Sequence, residues 1–247
     1  DQLTALYVDF PFVAPSDRSS ALALLLTVVG RQTIDGLTPL FAVRATGAGS
    51  GKGLVVVVVA AVALGLDEAK RLGQPESDDE TEKQLLSLGR EGTPLVMLDN
   101  LTRPLGNGVL ARAITSRTFS GRALGHNKTI DVPMPVLAAT GNNLQVASDM
   151  HRRVLPIDLE GQHENPEERT GFAIEGDLIA HCLAHRPRLL VAALTVLRWW
   201  HAAGRPEAIL SAWGSFEAWS RAIRSPLVLL GMADPCGGVA RLREESD

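Results

Sequence analysis

The sequence predicts an α/β fold with a mainly parallel sheet flanked by helices, followed by a mostly helical C-terminal part. Three observations predict it. A glycine-rich loop at 46–53 stands between a short β-type run and a long apolar stretch. Two continuous apolar runs, 94–98 and 135–140, end in polar residues, as buried parallel strands do. Helix-type segments separate the strand-type runs through residue 160, which is the alternation of a parallel α/β sheet.

The elements follow in order. Asp17 is placed to cap a helix whose apolar body runs over 21–29, with Gly30 as its stop. Residues 40–44 (Leu-Phe-Ala-Val-Arg) form a strand that leads into the glycine loop. The stretch 54–64 is rich in valine, which favours strand by propensity. It is assigned as helix, because a loop that holds phosphate needs a helix N-terminus behind it. A polar segment at 67–79 precedes a helix at 80–90, and the acidic start of that helix suits the positive end of the helix dipole. The run 94–98 is a strand, 108–116 a helix, and 119–124 with 129–132 a β-hairpin. The polar tip of this hairpin is Gly125-His126-Asn127-Lys128. A strand at 135–140 follows, then helices at 189–202 and 216–230 carrying most of the tryptophans. This divides the chain into a helical lead-in (1–36), an ATPase-type core (37–160) and a helical, lid-like C-terminal part (161–247).

Composition reads as that of an ordinary globular protein. With 45% hydrophobic and 21% charged residues, the chain can bury a substantial core. No basic, apolar leader opens it, and its longest apolar run, 54–66, is too short to span a bilayer. It begins at Asp1 and reads as a piece of a longer protein or a trimmed one. Cys182 and Cys236 lack metal-ligand spacing and read as thiols in a reducing, cytoplasmic setting. The net charge is −4, yet between Asp99 and Asp131 no acid occurs while Arg103, Arg112, Arg117, Arg122 and Lys128 do. That stretch reads equally as an anion-binding surface or as a solvated helix face. His181 and His185 are four apart on a helix, but no third ligand accompanies them.

Four pieces carry chemistry. In Thr46, Gly47, Ala48, Gly49, Ser50, Gly51, Lys52 and Gly53, glycines allow backbone N–H groups to close on phosphate oxygens, and Lys52 reaches the β and γ phosphates. The pattern departs from the usual phosphate loop twice. Thr46 replaces the first glycine, and Gly53 replaces the Ser or Thr that binds Mg²⁺. Asp99, at a strand end, is the candidate for the Mg²⁺ shell. Asn100 stands where an acid would polarise the attacking water, so another carboxylate, Asp79 or Glu80, would have to serve. Asn142 ends the next apolar strand, beside Asp99 if the two strands are neighbours, and would orient water. Arg152 and Arg153 precede a further apolar strand, a position from which an arginine can reach a neighbouring subunit's nucleotide.

Taken together, these pieces resemble the superfamily 3 helicase branch of the AAA+ P-loop ATPases, as found in replication proteins of phages and other mobile elements. Phe10-Pro-Phe12, Leu98-Asp-Asn-Leu-Thr-Arg-Pro-Leu-Gly106, Ala139-Thr-Gly-Asn-Asn143 and Trp213-Gly-Ser-Phe-Glu-Ala-Trp219 extend the resemblance over most of the chain. It implies an ATP- and Mg²⁺-dependent DNA helicase working as a homo-hexameric ring on single-stranded or forked DNA. It also implies that Arg153, with Arg152 as its substitute, acts in trans, and that Arg122, His126 and Lys128 of the hairpin contact DNA. A primase or initiator domain would lie outside this chain. Gly53 and Asn100 leave open the alternative of a degenerate scaffold that binds nucleotide and assembles on DNA with little turnover.

Overall fold

A computed structural model of the chain describes residues 2–47, 49–122, 129–160 and 170–244. Five strands form one parallel sheet: β1 (Leu40–Ala45), β2 (Lys70–Leu72), β3 (Leu95–Leu98), β6 (Val136–Asn142) and β7 (Val154–Leu159), in the order β2-β3-β6-β1-β7. Every residue of β1, β3 and β7 is buried, as is all of β6 except Asn142, which accounts for their mostly apolar character. The exception is β2, which the sequence reading missed inside its polar segment. It is a short edge strand, and Lys70 and Arg71 are exposed on it, which protects a sheet edge but hides the strand from a hydrophobicity pattern. The opposite edge, β7, is covered by the N-terminal segment: Val13 N donates to Asp158 O and Glu160 N to Pro11 O.

The valine stretch is helix. α3 (Lys52–Val59) continues through a wider π turn, Ala60–Leu64, to Gly65. Val55 to Val59 are all buried, so strand propensity yields to a position where a helix satisfies its own backbone groups inside the core. Before it come α1 (Gln2–Ala5) and α2 (Pro15–Gly30). The expectation that Asp17 caps α2 is corrected. The helix starts at Pro15, whose missing N–H costs nothing in the first turn, and Asp17 reaches back from inside it to accept Ala14 N at 2.9 Å.

α4 (Asp78–Glu91) is capped by Ser77, whose side chain accepts Glu80 N. α5 (Gly108–Ile114) and the antiparallel ribbon β4 (Thr118–Arg122) and β5 (Thr129–Pro133) pack on α4 through Leu85, Leu86, Ala113, Phe119 and Val132. The contact is close: a β-carbon on Gly89 would stand 2.4 Å from Val132 Cγ2. Since Gly89 meets Val132 and Gly121 meets Glu82 and Leu86, the ribbon runs along α4 from its C-terminal turn towards its N-terminal end. The hairpin tip, 123–128, lies outside the described residues, as does the Arg122 side chain.

The C-terminal part is helical: α6 (Leu178–Ala184), α7 (Arg186–Ala202), α8 (Glu217–Trp219), a π turn at Ser220–Arg224, α9 (Ser225–Leu229) and α10 (Val239–Glu244). The sequence reading placed no helix at α6 or α10. Trp213, Phe216 and Trp219 are buried, and Trp219 Nε1 donates to Thr27 Oγ1 of α2 at 2.8 Å. Cys182 and Cys236 are both free thiols. A buried charge cluster ties the C-terminus to the sheet. Arg44, on β1, forks onto Asp158 of β7 at 2.7 and 3.1 Å. Arg241, on α10, bridges Asp158 and Asp17 at 2.9 and 2.5 Å. Burial, and then the neighbouring Asp158, lift the Asp17 carboxyl to about 6. Among the described residues no helix is long and apolar enough to cross a membrane.

Candidate nucleotide site

Parallel strands place their C-terminal ends together, and the loops leaving those ends share one edge of the sheet. β1 ends at Ala45 and runs into the glycine loop, β6 ends at Asn142, and β3 ends one residue before Asp99. Because β6 lies between β1 and β3, Lys52, Asn142 and Asp99 belong to three adjacent strand ends. These span about 10 Å by ordinary strand spacing.

The loop turns through two left-handed glycines, Gly49 (φ 73°) and Gly51 (φ 84°), and α3 begins at Lys52. Ala48 lies outside the described residues. The Lys52 ammonium folds back over the loop, donating to Gly47 O at 2.7 Å and to Ser50 Oγ at 3.0 Å. Partial burial lowers its pKa, because desolvation disfavours the charged form. Outside the chain neighbours and the helix's own backbone, no atom lies within 4 Å of where a β-carbon would stand on Gly47 or Gly53, so the loop is open at these two positions. An exposed loop N-terminal to a helix, a turned-in lysine and open space fit a triphosphate.

Asp99 is held from two sides. Thr140, inside β6, donates its hydroxyl to Asp99 Oδ1 at 2.7 Å, and Arg71, on β2, reaches Asp99 Oδ2 at 3.1 Å. The Thr140 oxygen also accepts Asn100 N at 2.9 Å. Asn100 has φ 53°, a left-handed conformation that asparagine adopts more readily than glutamate, which gives the missing acid a backbone reason. For Mg²⁺ the donor set fits in part: Asp99 is oriented, but Gly53 offers no hydroxyl. Neither carboxylate suggested in place of the acid is free. Glu80 accepts Glu76 N at 2.7 Å and Gln84 Nε2 at 3.0 Å, and Asp79 pairs with Lys83.

Asn142 is exposed at the end of β6, opposite Ala45 of β1. Arg152 and Arg153 lie at the other edge of the sheet. β7 runs in register with β1, Val154 opposite Leu40, so the pair precedes the strand while the glycine loop follows its neighbour. Six residues of strand separate the two ends, about 20 Å. Arg152 is exposed. Arg153 is half-buried, with Nη1 donating to Asp149 O, and its Nε has no hydrogen-bond partner among the described residues.

The basic stretch is largely engaged within the fold. Arg112 pairs with Glu82 at 3.0 Å and stacks over the Phe119 ring, and Arg117 pairs with Asp35 at 2.8 Å. Arg103 donates to Pro75 O and fastens the loop after Asp99 to the one after β2. The DNA-contact candidates His126 and Lys128 lie outside the described residues. Sequence reasoning gave no role to Phe10, Arg71 or Thr140. Phe10 lines the underside of the loop, and for Thr140 the available signal was a lone hydroxyl inside an otherwise apolar strand.

Comparison with known proteins bears on the fold. No protein-family model matches the chain, and no curated protein matches it. Among solved structures, the C-terminal region of NrS-1 superposes with a TM-score of 0.50 at 13% identity, covering 77% of this chain and 44% of that one.

The chain shares the fold of that region, a mainly parallel sheet flanked by helices.

Looser likenesses to solved helicases include the JCV helicase, with a TM-score of 0.46 at 11% identity over 97% of this chain and 64% of that one. Another is the SCCmec type IV Cch helicase, at 0.40 and 12% over 100% and 49%. The chain therefore spans less than half the length of the first solved structure it matches, and what the two share is the fold.

Proposed function

We propose that the chain is the motor part of an ATP-dependent DNA helicase or translocase of the superfamily 3 type, acting as a ring in the replication of a phage or other mobile element. The observation that carries this reading is the placement of Lys52, Asn142 and Asp99 on three adjacent strand ends, with the arginine pair at the far end of the sheet. In this reading Lys52 exchanges its loop oxygens for the β and γ phosphates of ATP. Asp99, steadied by Thr140, holds the Mg²⁺ shell, and bound Mg²⁺ supplies charge neutralisation at the phosphates. Asn142 orients water. Arg153 or the more exposed Arg152 acts on the nucleotide of a neighbouring copy, since neither reaches the loop of its own chain. Arg122, His126 and Lys128 grip the DNA backbone, which gives salt-sensitive binding of low sequence preference.

The test is ATP hydrolysis with and without single-stranded DNA for wild type, Lys52→Ala and Lys128→Ala. The motor reading expects stimulation by DNA, abolished by Lys52→Ala and reduced to the basal rate by Lys128→Ala. A second reading, a nucleotide-stabilised scaffold on DNA with little turnover, is favoured by the arginine on Asp99 and the absence of a hydroxyl at Gly53. ATP binding without turnover above the Lys52→Ala background, even with DNA, would establish it.

A further inference from the structure

Arg71 stands outside the motifs yet touches one of their central groups. Its position is set by the sheet: it lies opposite Met97, Leu72 lies opposite Leu98, and Asp99 N donates to Leu72 O at 2.8 Å. From there its Nη1 reaches Asp99 Oδ2, while Oδ1 is taken by the neutral Thr140 hydroxyl. The Asp99 carboxylate thus has a cation from its own chain as a partner. The arginine side chain is 51% exposed and that of Asp99 29%, so the pair meets solvent and can open.

This matters because of what surrounds the phosphate loop. A carboxylate beside a triphosphate repels it, and in most phosphate loops a divalent cation, held partly by the hydroxyl after the lysine, offsets both charges. Here that hydroxyl is missing and Asp99 already has a counter-charge from its own chain. We propose that Arg71 competes with divalent metal for Asp99 and lets the site hold a nucleoside triphosphate with little dependence on metal. The proposal rests on the phosphate-loop reading of the site. Arg71 is a positioning residue in it and touches no phosphate.

The test compares the affinity of a fluorescent, non-hydrolysable ATP analogue in excess Mg²⁺ and in EDTA. It uses wild type, Arg71→Gln, Arg71→Lys, Asp99→Asn and the double variant Arg71→Gln/Asp99→Asn, with Lys52→Ala as reference. The readout is the ratio of Kd in EDTA to Kd in Mg²⁺ within each protein, so a uniform loss of folded material cancels. The ratio is expected to be small in wild type and to rise about five-fold in Arg71→Gln, the scale of a partly exposed ion pair. Arg71→Lys should keep the wild-type ratio. The effect of Arg71→Gln should vanish when Asp99 is already Asn. An unchanged ratio in Arg71→Gln, a Lys variant that follows the Gln variant, or an effect that persists without the carboxylate overturns the proposal while leaving the site intact. A wild type that fails to bind, or a Lys52→Ala that binds as well as wild type, overturns the site reading and the proposal together.

Discussion

Phe10 packs its ring against the backbone of Gly51, with Cε1 3.3 Å from where a β-carbon on that glycine would stand. The ring belongs to a cluster with Tyr7 and Phe12, so the N-terminal segment supports the nucleotide loop from below. Gly51 also has φ 84°, which any other residue adopts at a cost. Gly51→Ala is therefore expected to lower stability by about 1–2 kcal/mol and to weaken ATP binding. Urea melts and an ATP titration check it, and an unaltered affinity would mean that the loop does not need this geometry.

Lys52→Ala removes a half-buried ammonium that spends its hydrogen bonds on the loop itself. ATP affinity should fall at least ten-fold, about 1.4 kcal/mol, with the melting temperature nearly unchanged. Isothermal titration beside a thermal melt separates the two effects.

Gly53→Thr adds a hydroxyl at the first turn of α3, in a position with no neighbouring atom within 4 Å. Without a steric penalty, the variant should bind Mg²⁺-ATP more tightly than wild type by roughly three- to ten-fold while binding in EDTA is unchanged. Equal gains in both conditions would show that the hydroxyl acts on the loop and not on the metal.

Gly89→Ala drives a methyl group into Val132 and within 2.8 Å of Pro133 O. Overpacking of this kind costs about 1–3 kcal/mol. Chemical denaturation should show that loss, and DNA stimulation should fall with it if the ribbon is the DNA-contacting element.

Asp17 titrates where the fold can be tested. Its folded pKa, about 6, lies above the ordinary carboxyl value of 3.8, so the folded state binds the proton more tightly than the unfolded chain. Its contribution to stability is therefore full below 3.8 and is lost as pH rises through 6. Between pH 7 and pH 5 wild type should gain roughly 1 kcal/mol relative to Asp17→Asn, measured by urea melts at both values.

The strand ends, the glycine loop and the ribbon were legible because each is written in a few consecutive residues. The valine helix was legible only through its neighbour, since Val55 to Val59 alone would have given a strand. What escaped was long-range charge. Arg112 and Arg117 looked unopposed because a sequence window shows no acid near them, whereas Glu82 and Asp35 arrive from other elements. Arg71 and Asp99 are 28 positions apart and meet only once β2 has joined the sheet. The strand that joins them was itself hidden by the charges that make it a good edge. Asp17 looked like a cap because Asp stands before an apolar run, whereas Pro15, itself a helix-start signal, begins the helix two residues earlier.

Arg241 lies 224 positions after Asp17 and 83 after Asp158. Every motif of the nucleotide site occurs before residue 160, so a fragment ending there would carry the whole signature. It would also lack the arginine that bridges Asp17 and Asp158, beside the strand that feeds the glycine loop. Leaving a buried charge unpaired is among the more costly changes a core can suffer. A fragment ending at residue 160 is therefore expected to melt below the full chain, because the arginine that bridges both carboxylates sits on the last helix described.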